Sequence, residues 1–238
     1  MRDITVVIPT SPIPAHPSTE IIERTIQSIR KHLPDSEIVI MCDGVRPEVE
    51  HRSKQYREYL VYLIEQVNFR YANVLICPFA KHLQQAGMMK ATMAWCHTPL
   101  VLFCEHDATI DDKPIDWLGI RWMLASEKAN TVRFYWHETL HPEHQHLFGE
   151  REGDFVKTIQ WSSWPHVSRT DFYRRILDEY FSGDDCKMIE TVMYSPVLEL
   201  PWEKFKTWIY APEPDAIRFH HLDARRDPVT GEKDPGSW

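Results

Sequence analysis

One stretch restricts the possible folds of this chain more than any other: the apolar run at residues 100–104, followed at once by Glu105, His106 and Asp107. An unbroken apolar run of this length is typical of a strand buried on both faces, as in parallel sheets. Successive residues of an extended chain point to opposite sides, so Glu105 and Asp107 fall on the same side, at the carboxyl end of the strand. Open α/β sheets bind their ligands at that end.

Two carboxylates in this position favour a divalent cation. Mg²⁺ and Mn²⁺ prefer oxygen ligands and often share them with a substrate diphosphate. The alternative is a strand that ends in solvated acidic residues. The neighbouring strands decide between the two, because a metal site at this edge of a sheet requires further polar groups there.

The first 107 residues repeat a pattern of strand followed by helix. Apolar strands are predicted at residues 4–8, 37–42 and 73–78, and amphipathic helices separate them from one another and from the acidic strand. Consecutive strand, helix and strand form a βαβ unit with a right-handed crossover. We therefore expect an α/β domain whose four strands are mostly parallel.

The carboxyl ends of these parallel strands should meet on one rim. Pro9 and Thr10 follow the first strand and Asp43 follows the second, so they should lie beside the acidic pair. In the helix before the acidic strand, Gly87 and Ala91 fall on one face. This spacing predicts a nearly flat helix face that packs closely on the sheet.

Composition narrows the class of protein. The chain has 238 residues, of which 43% are hydrophobic, so it can bury a sizeable core. A formal net charge of -8 argues against a general attraction to nucleic acids or anionic membranes. No apolar run approaches the roughly 20 residues that span a bilayer. The five cysteines show no C-x-x-C pairing, and we expect a soluble, cytoplasmic protein with reduced thiols.

Taken together, these motifs resemble the nucleotide-binding half of GT-A glycosyltransferases, particularly the large family-two type. The resemblance covers residues 4–112. It includes a V-V-I-P-T strand and loop, an aspartate after the second strand, a helix with glycine and alanine, and E-H-D where the family has D-x-D. The run at 98–107 resembles a variant in glycosyltransferase-like proteins of viral and microbial origin. The family implies a GT-A-like α/β fold with a mostly parallel central sheet flanked by helices.

The resemblance also implies a nucleotide-sugar donor, with a UDP-sugar as the first choice, and a Mn²⁺ or Mg²⁺ ion. The metal ligands it implies are Glu105, Asp107 and His221. His221 is preferred to His220 because it heads a His-Leu-Asp-Ala-Arg run whose arginines can neutralise a leaving diphosphate; the alternative is a pair of surface histidines. The residues implied for donor binding are Pro9, Thr10, Ser11, Asp43, Gly87, Lys90, Arg225 and Arg226.

Beyond residue 112 fewer residues carry the resemblance. In the family, an acid at the head of a late helix is the catalytic base, and Glu190 is the best match, with Asp184 and Asp185 as alternatives. In an inverting transfer this base takes the proton of the acceptor hydroxyl. A retaining enzyme requires no such base, so the stereochemistry stays open.

Residues 137–154 predict a long polar loop. Its histidines suggest either a zinc site or a mobile lid that faces the acceptor, and the lid is preferred because their spacing matches no familiar zinc motif. Trp161 and Trp164 follow, and they either contact a sugar or base or belong to the core. The histidines are His137, His141, His144 and His146.

The sequence therefore predicts a metal-dependent glycosyltransferase built as one domain. Residues 1–112 form its nucleotide-sugar half, 113–226 its acceptor half and 227–238 a flexible tail. The acceptor is open between a polysaccharide, a protein and a hydroxylated DNA base, although the acidic charge argues mildly against DNA. Two alternatives are a catalytically silent sugar-nucleotide-binding protein and a nucleotidyltransferase, a class that usually carries a glycine-rich loop where this chain has prolines.

Overall fold

A computed structural model describes residues 2–181, 186–222 and 224 of the chain. The strands in this part of the chain are β1 (Ile4–Thr10), β2 (Glu37–Cys42), β3 (Val74–Pro78), β4 (Leu100–Phe103), β5 (Ala108–Ile110), β6 (Thr131–Phe134), β7 (Phe148–Glu152), β8 (Phe155–Thr158), β9 (His166–Arg169), β10 (Thr207–Tyr210) and β11 (Phe219–His221). The α-helices are α1 (Glu20–His32), α2 (Ser53–Tyr62), α3 (Asn68–Arg70), α4 (Gln84–Met93), α5 (Trp117–Ala125), α6 (Thr170–Tyr180), α7 (Ile189–Glu199) and α8 (Trp202–Phe205). Two 3-10 helices span Pro47–Arg52 and Pro142–Leu147, and a π-helix spans Leu63–Val67.

The central sheet has the order β3-β2-β1-β4-β9-β6-β10-β8-β7. In its first part, β1 pairs in parallel with β2 and β4, and β2 pairs in parallel with β3. This confirms the four parallel strands predicted from the sequence. Strands β1, β2 and β4 are buried on both faces because helices cover both, which explains their continuous apolar composition.

The second part of the chain extends the same sheet. Strand β9 lies between β4 and β6 and is antiparallel to both, whereas β10 runs parallel to β6. The hydrogen bonds between β4 and β9 therefore join the two predicted halves into one sheet. A separate ribbon of β5 and β11 lies beside the end of β4.

Helices α1 and α4 belong to opposite faces of the sheet. Ile22 and Ile26 of α1 pack in one core cluster with Ile8, whereas Met89 and Met93 of α4 pack in another with the α6 and α7 helices. The period of two along β1 separates the clusters, because neighbouring side chains of a strand point to opposite faces.

The predicted flat packing face of α4 is wrong. Ala91 and Ala94 are exposed and Gly87 is only half-buried, while Met89 and Met93 face the core. Burying long methionine side chains removes more apolar area from water than burying glycine and alanine, so the helix turns its methionines inwards.

The predicted polar loop at residues 137–154 is also wrong. It contains the 3-10 helix and strand β7, which forms a hairpin with β8. Gly153 adopts a φ of 58° in the hairpin turn, a conformation that glycine enters at low cost. Strand β7 is an exposed edge strand with mostly polar residues, so its sequence lacks the apolar alternation that signals a strand.

Strand β10 follows directly after a short helix. Helix α8 occupies Trp202–Phe205, and Lys206 at a φ of 45° separates it from the strand. None of the helices in the described part of the chain combines the length and the apolar character that crossing a bilayer requires.

Candidate active site

The carboxyl ends of β1, β2 and β4 border a cleft with a volume of about 180 Å³. As predicted from the parallel strand order, the residues that follow these strands meet at one rim. Helix α4 and the residue before α7, Met188, complete the lining. The predicted site residues that line the cleft are Pro9, Thr10, Ser11, Asp43, Glu105 and Asp107.

Glu105, Asp107 and His221 form a compact group at the end of β4. Each offers one ligand atom, and these atoms lie within 4.8 Å of one another. Strand β11 delivers the histidine, because its antiparallel register with β5 places His221 opposite Ala108. Two carboxylates and one imidazole are a donor set that Mn²⁺ and Mg²⁺ accept, so the residues present fit a divalent cation.

Asp107 is 4% exposed and is held in place by the segment after β11. Its Oδ2 accepts a hydrogen bond of 3.2 Å from the backbone N–H of Ala224, and His221 Nε2 lies 3.4 Å from the same oxygen. Burial alone raises the pKa of Asp107, but the charges of His106 and His221 and the hydrogen bond from Ala224 outweigh it, and the net pKa is lowered. The carboxylate is therefore ionised at neutral pH.

The two neighbouring histidines point to different partners. His220 Nε2 lies 2.6 Å from Asp111 Oδ2, whereas His221 belongs to the group around Asp107. Alternation along β11 explains the separation.

Asp43 forms the second rim position and is 3% exposed. Its carboxylate accepts hydrogen bonds from the backbone N–H groups of Gly44, Leu83 and Gln84 at 2.9, 2.7 and 3.1 Å, and His82 Nδ1 lies 2.8 Å from Oδ2. Burial raises the pKa of Asp43, although these donors oppose the change. Asp43, which directly follows β2, thus caps the N-terminus of α4.

Glycine is required immediately after Asp43. A Cβ at Gly44 would lie only 2.3 Å from the backbone carbon of Lys81, so the two backbones pack too closely for any side chain. This close approach holds the loop before α4 against the end of β2, where Asp43 can reach the helix.

An aromatic stack supports the wall of the cleft behind Thr10. The rings of His16 and Tyr59 stack with centroids 3.8 Å apart, and Tyr59 Oη lies 3.5 Å from Thr10 Oγ1. Burial lowers the pKa of His16 to about 2, so its imidazole is neutral. His16 was not predictable from the sequence, because an isolated histidine in a proline-rich loop carries no signal.

A chain of hydrogen bonds links Glu105, one of the predicted metal ligands, to Glu190, the predicted base. Gln85 Nε2 donates to Glu105 Oε1 at 3.0 Å, Ser163 Oγ donates to Gln85 Oε1 at 3.3 Å, and Ser163 N donates to Glu190 Oε2 at 3.0 Å. Gln85 and Ser163 are both 6% exposed. These two residues were not predictable from the sequence, since they lie far apart in the chain and belong to no motif.

Glu190 is the second residue of α7, two positions beyond the cleft residue Met188, and is half-buried. It is the acidic residue in the first turn of α7, near the positive end of the helix. The alternatives Asp184 and Asp185 and the arginines Arg225 and Arg226 lie outside the described residues.

Two predicted donor-binding residues do not line the cleft. Lys90 Nζ donates to the backbone oxygen of Phe181 at 3.3 Å and lies 3.6 Å from Asp178 Oδ1, at the contact between α4 and α6. Gly87 is half-buried, and a Cβ there would lie 2.9 Å from the Cβ of Leu83. Both stand on α4 away from the strand ends.

The histidine-rich segment does not gather its imidazoles around one point. The ring centroids of His137 and His141 lie 5.1 Å apart, and those of His141 and His144 lie 5.2 Å apart. Within residues 2–181, 186–222 and 224, the one group of side chains that could hold a metal ion is the group that contains Asp107. Trp161 is 3% exposed and belongs to the core, while Trp164 is half-buried.

The comparisons with known proteins agree with this architecture. No protein-family model and no curated protein matches the sequence. The crystal structure of S. aureus TarS residues 1–349 is similar with a TM-score of 0.54 and 9% identity, over 94% of this chain and 61% of that one. The same TarS fragment in complex with UDP gives a TM-score of 0.52 and 11% identity, over 92% and 60%.

A second protein has the same fold. The crystal structure of GalNAc-T7 with UDP, GalNAc and Mn²⁺ has a TM-score of 0.54 and 12% identity, over 92% of this chain and 42% of that one. This chain thus spans less than two thirds of each of these structures. At such low identities the similarity shows the fold alone, which is the GT-A fold of glycosyltransferases.

Proposed function

We propose that this protein is a metal-dependent glycosyltransferase that moves a sugar from a nucleotide-sugar donor, with a UDP-sugar as the first choice, to an acceptor hydroxyl. The observation that carries the proposal is the convergence of Glu105, Asp107 and His221 at the end of β4, in a cleft bordered by strand ends of a GT-A fold. Structures of the same fold contain UDP or Mn²⁺, which supports the choice of ligands.

The residues on each side of the cleft have separate roles in the proposed reaction. Thr10 and Asp43 border the space for the nucleoside, and the three ligands hold Mn²⁺ or Mg²⁺ beside the donor diphosphate. A bound divalent ion supplies Lewis-acid stabilisation of the negative charge on the leaving nucleotide. Asp107 is suited to this position, because its carboxylate is ionised and its orientation is set by Ala224 and His221.

Glu190 is the proposed general base of an inverting transfer. Its Oε2 accepts the hydrogen bond from Ser163 N, which orients the carboxylate. The other carboxylate oxygen of Glu190 then takes the proton of the acceptor hydroxyl, while the hydroxyl oxygen attacks the sugar. The hydrogen bonds through Gln85 to Glu105 keep this base at a constant position relative to the metal ligands.

Thermal denaturation with a panel of nucleotide sugars, each with Mn²⁺, with Mg²⁺ and without metal, tests the proposal. We expect a donor to raise the midpoint by several degrees only in the presence of metal, since a ligand that binds the folded state stabilises it. The variant Asp107→Asn should lose this metal dependence. Asp112→Asn is a matched control, because Asp112 is an exposed acid paired with Lys31.

The outcomes separate the possible functions. Metal-dependent donor binding followed by release of the nucleotide with an acceptor supports the transferase. Donor binding with no turnover for any acceptor indicates a silent sugar-nucleotide-binding protein. Metal-independent behaviour identical in wild type and Asp107→Asn would contradict the proposal.

A further inference from the structure

Arg133 is a buried cation on β6 with incomplete hydrogen bonding. It is 3% exposed, and its Nη2 donates to Gln160 Oε1 at 3.1 Å. Its Nε and Nη1 are buried and have no hydrogen-bond partner among the described residues. The guanidinium carbon also lies 4.9 Å from the centre of the Trp164 ring. Two strong donors therefore remain unsatisfied inside the protein.

Within the described part of the chain, the charge of Arg133 is also not compensated by a direct ion pair. Burial lowers its pKa to about 10, so the guanidinium is still protonated at neutral pH. Glu190 attracts it electrostatically, yet the Glu190 carboxylate is hydrogen-bonded to Ser163 N and forms no ion pair with Arg133. A buried charge without a counterion carries a large desolvation penalty.

A third unsatisfied donor, on Trp161, lies beside a small cavity that Arg133 also lines. Trp161 is 3% exposed, and its Nε1 has no partner among the described residues. Arg133 and Trp161 both line a cavity of about 10 Å³ at residues of β6, β8 and β9. This volume accommodates about one water-sized particle. The cavity thus combines three buried N–H donors with one positive charge.

Several other polar groups around the cavity already have hydrogen-bond partners. Ser162 Oγ accepts from Trp164 N, and Thr158 Oγ1 accepts from Gln160 N. Both ring nitrogens of His166 are engaged, one with Trp164 O and the other with Tyr173 Oη. The cavity therefore offers hydrogen-bond donors and a cation to whatever occupies it.

We propose that this cavity is a binding site for a monatomic anion, chloride in the cell, which is the counterion of Arg133. An anion accepts from Arg133 Nε and Nη1 and from Trp161 Nε1 at once, and its charge offsets the buried guanidinium. The small volume excludes phosphate and carboxylate groups. The cavity is separate from the proposed metal site, since none of the metal ligands lines it.

Thermal denaturation at constant ionic strength tests the site. Replacing gluconate, which is too large for the cavity, with chloride or bromide should raise the wild-type midpoint by about 2–6 °C. Arg133→Met should abolish the dependence on chloride. Trp161→Phe removes one donor and should shift the half-saturating chloride concentration upwards several-fold. Trp117→Phe is the matched control, because Trp117 Nε1 is also buried without a partner but lies outside the cavity.

Crystals grown in bromide give a direct answer that does not require any variant to fold. We expect an anomalous peak within hydrogen-bonding distance of Arg133 Nε and Trp161 Nε1. An ordered water at this position without anomalous signal would overturn the proposal. So would a dependence on chloride that Arg133→Met leaves unchanged, or a half-saturating chloride concentration that Trp161→Phe and Trp117→Phe shift to the same extent.

Discussion

The two sides of the cleft are held together by different kinds of contact. On the donor side, Asp43 and Asp107 accept hydrogen bonds from backbone N–H groups at the ends of strands and at the start of α4. On the acceptor side, within the part of the chain that the structure describes, Glu190 accepts one hydrogen bond, from Ser163 N, and Arg133 retains unsatisfied donors. Substitutions at Asp43 and Asp107 should therefore reduce both stability and function, and a substitution at Glu190 mainly function.

The largest expected effect is the loss of turnover in Asp107→Ala. The change removes a buried carboxylate from the metal group and leaves Ala224 N without its acceptor. We expect activity to fall by about 10³-fold or more. Transfer assays with circular dichroism will check it, and Asp107→Asn retains the acceptor for Ala224. Normal turnover in both variants would remove the metal from the proposal.

Glu190→Gln should lower kcat by about 10²- to 10⁴-fold while donor affinity is preserved, since it removes the base but keeps an acceptor for Ser163 N. Single-turnover kinetics and donor titration measure the two quantities. An active Glu190→Gln enzyme beside an inactive Asp184→Asn or Asp185→Asn would transfer the role to those residues. Retention of the anomeric configuration would equally exclude an inverting base.

Asp43→Ala should weaken donor binding and also lower the free energy of unfolding by about 3–5 kcal/mol, because three backbone N–H groups lose their acceptor. Urea denaturation measures the stability and titration with nucleotide measures the affinity. Asp178→Ala is the control, since Asp178 is largely exposed and its ion pair with Lys90 contributes little. Equal stability losses in both variants would contradict the special position of Asp43.

Two buried histidines, one in each half, should make the protein sensitive to acid. Burial lowers the pKa of His16 to about 2 and that of His166 to about 4. As the pH falls, these histidines therefore become protonated in the unfolded state before they do so in the folded state. The stability present above about pH 6.5 is lost as the pH falls towards the folded pKa values. Between about pH 7.5 and about pH 5, each histidine should cost about 2 kcal/mol.

Urea denaturation of His16→Asn and His166→Gln at the two pH values isolates these contributions. Each variant should lose less stability on acidification than the wild type does. A variant whose stability changes with pH as much as that of the wild type would show that its histidine is not the group that titrates.

The smallest effect is expected at Gln85, which joins the two sides. Gln85→Met keeps the volume but removes the hydrogen bonds to Glu105 and Ser163. We expect kcat to fall about 10-fold, with a higher Mn²⁺ requirement, because the metal ligand and the base are no longer linked. Gln27→Met, which removes an exposed hydrogen bond to Tyr71, is the control. If both variants behave alike, the two sides of the cleft act independently.

Much of the donor side was predictable because its signals are local. β-branched runs specify β1 and β2, and a break in each apolar run places Thr10, Asp43 and Asp107 at the strand ends. Where local signals were weak, prediction was wrong, as for the polar edge strand β7 and the packing face of α4. A polar strand at a sheet edge is chosen by its pairing partner and not by its own hydrophobic period.

By itself, the sequence determined that the first four strands are parallel and on which rim their acidic residues meet. Only the tertiary structure decided which residues lie opposite this rim. The pairing of β11 with β5 brings His221 to Asp107, and the insertion of β9 beside β4 brings Ser163 between Gln85 and Glu190. These contacts join segments far apart in the chain, and side-chain periodicity specifies which face of a strand is buried but not which distant strand lies next to it.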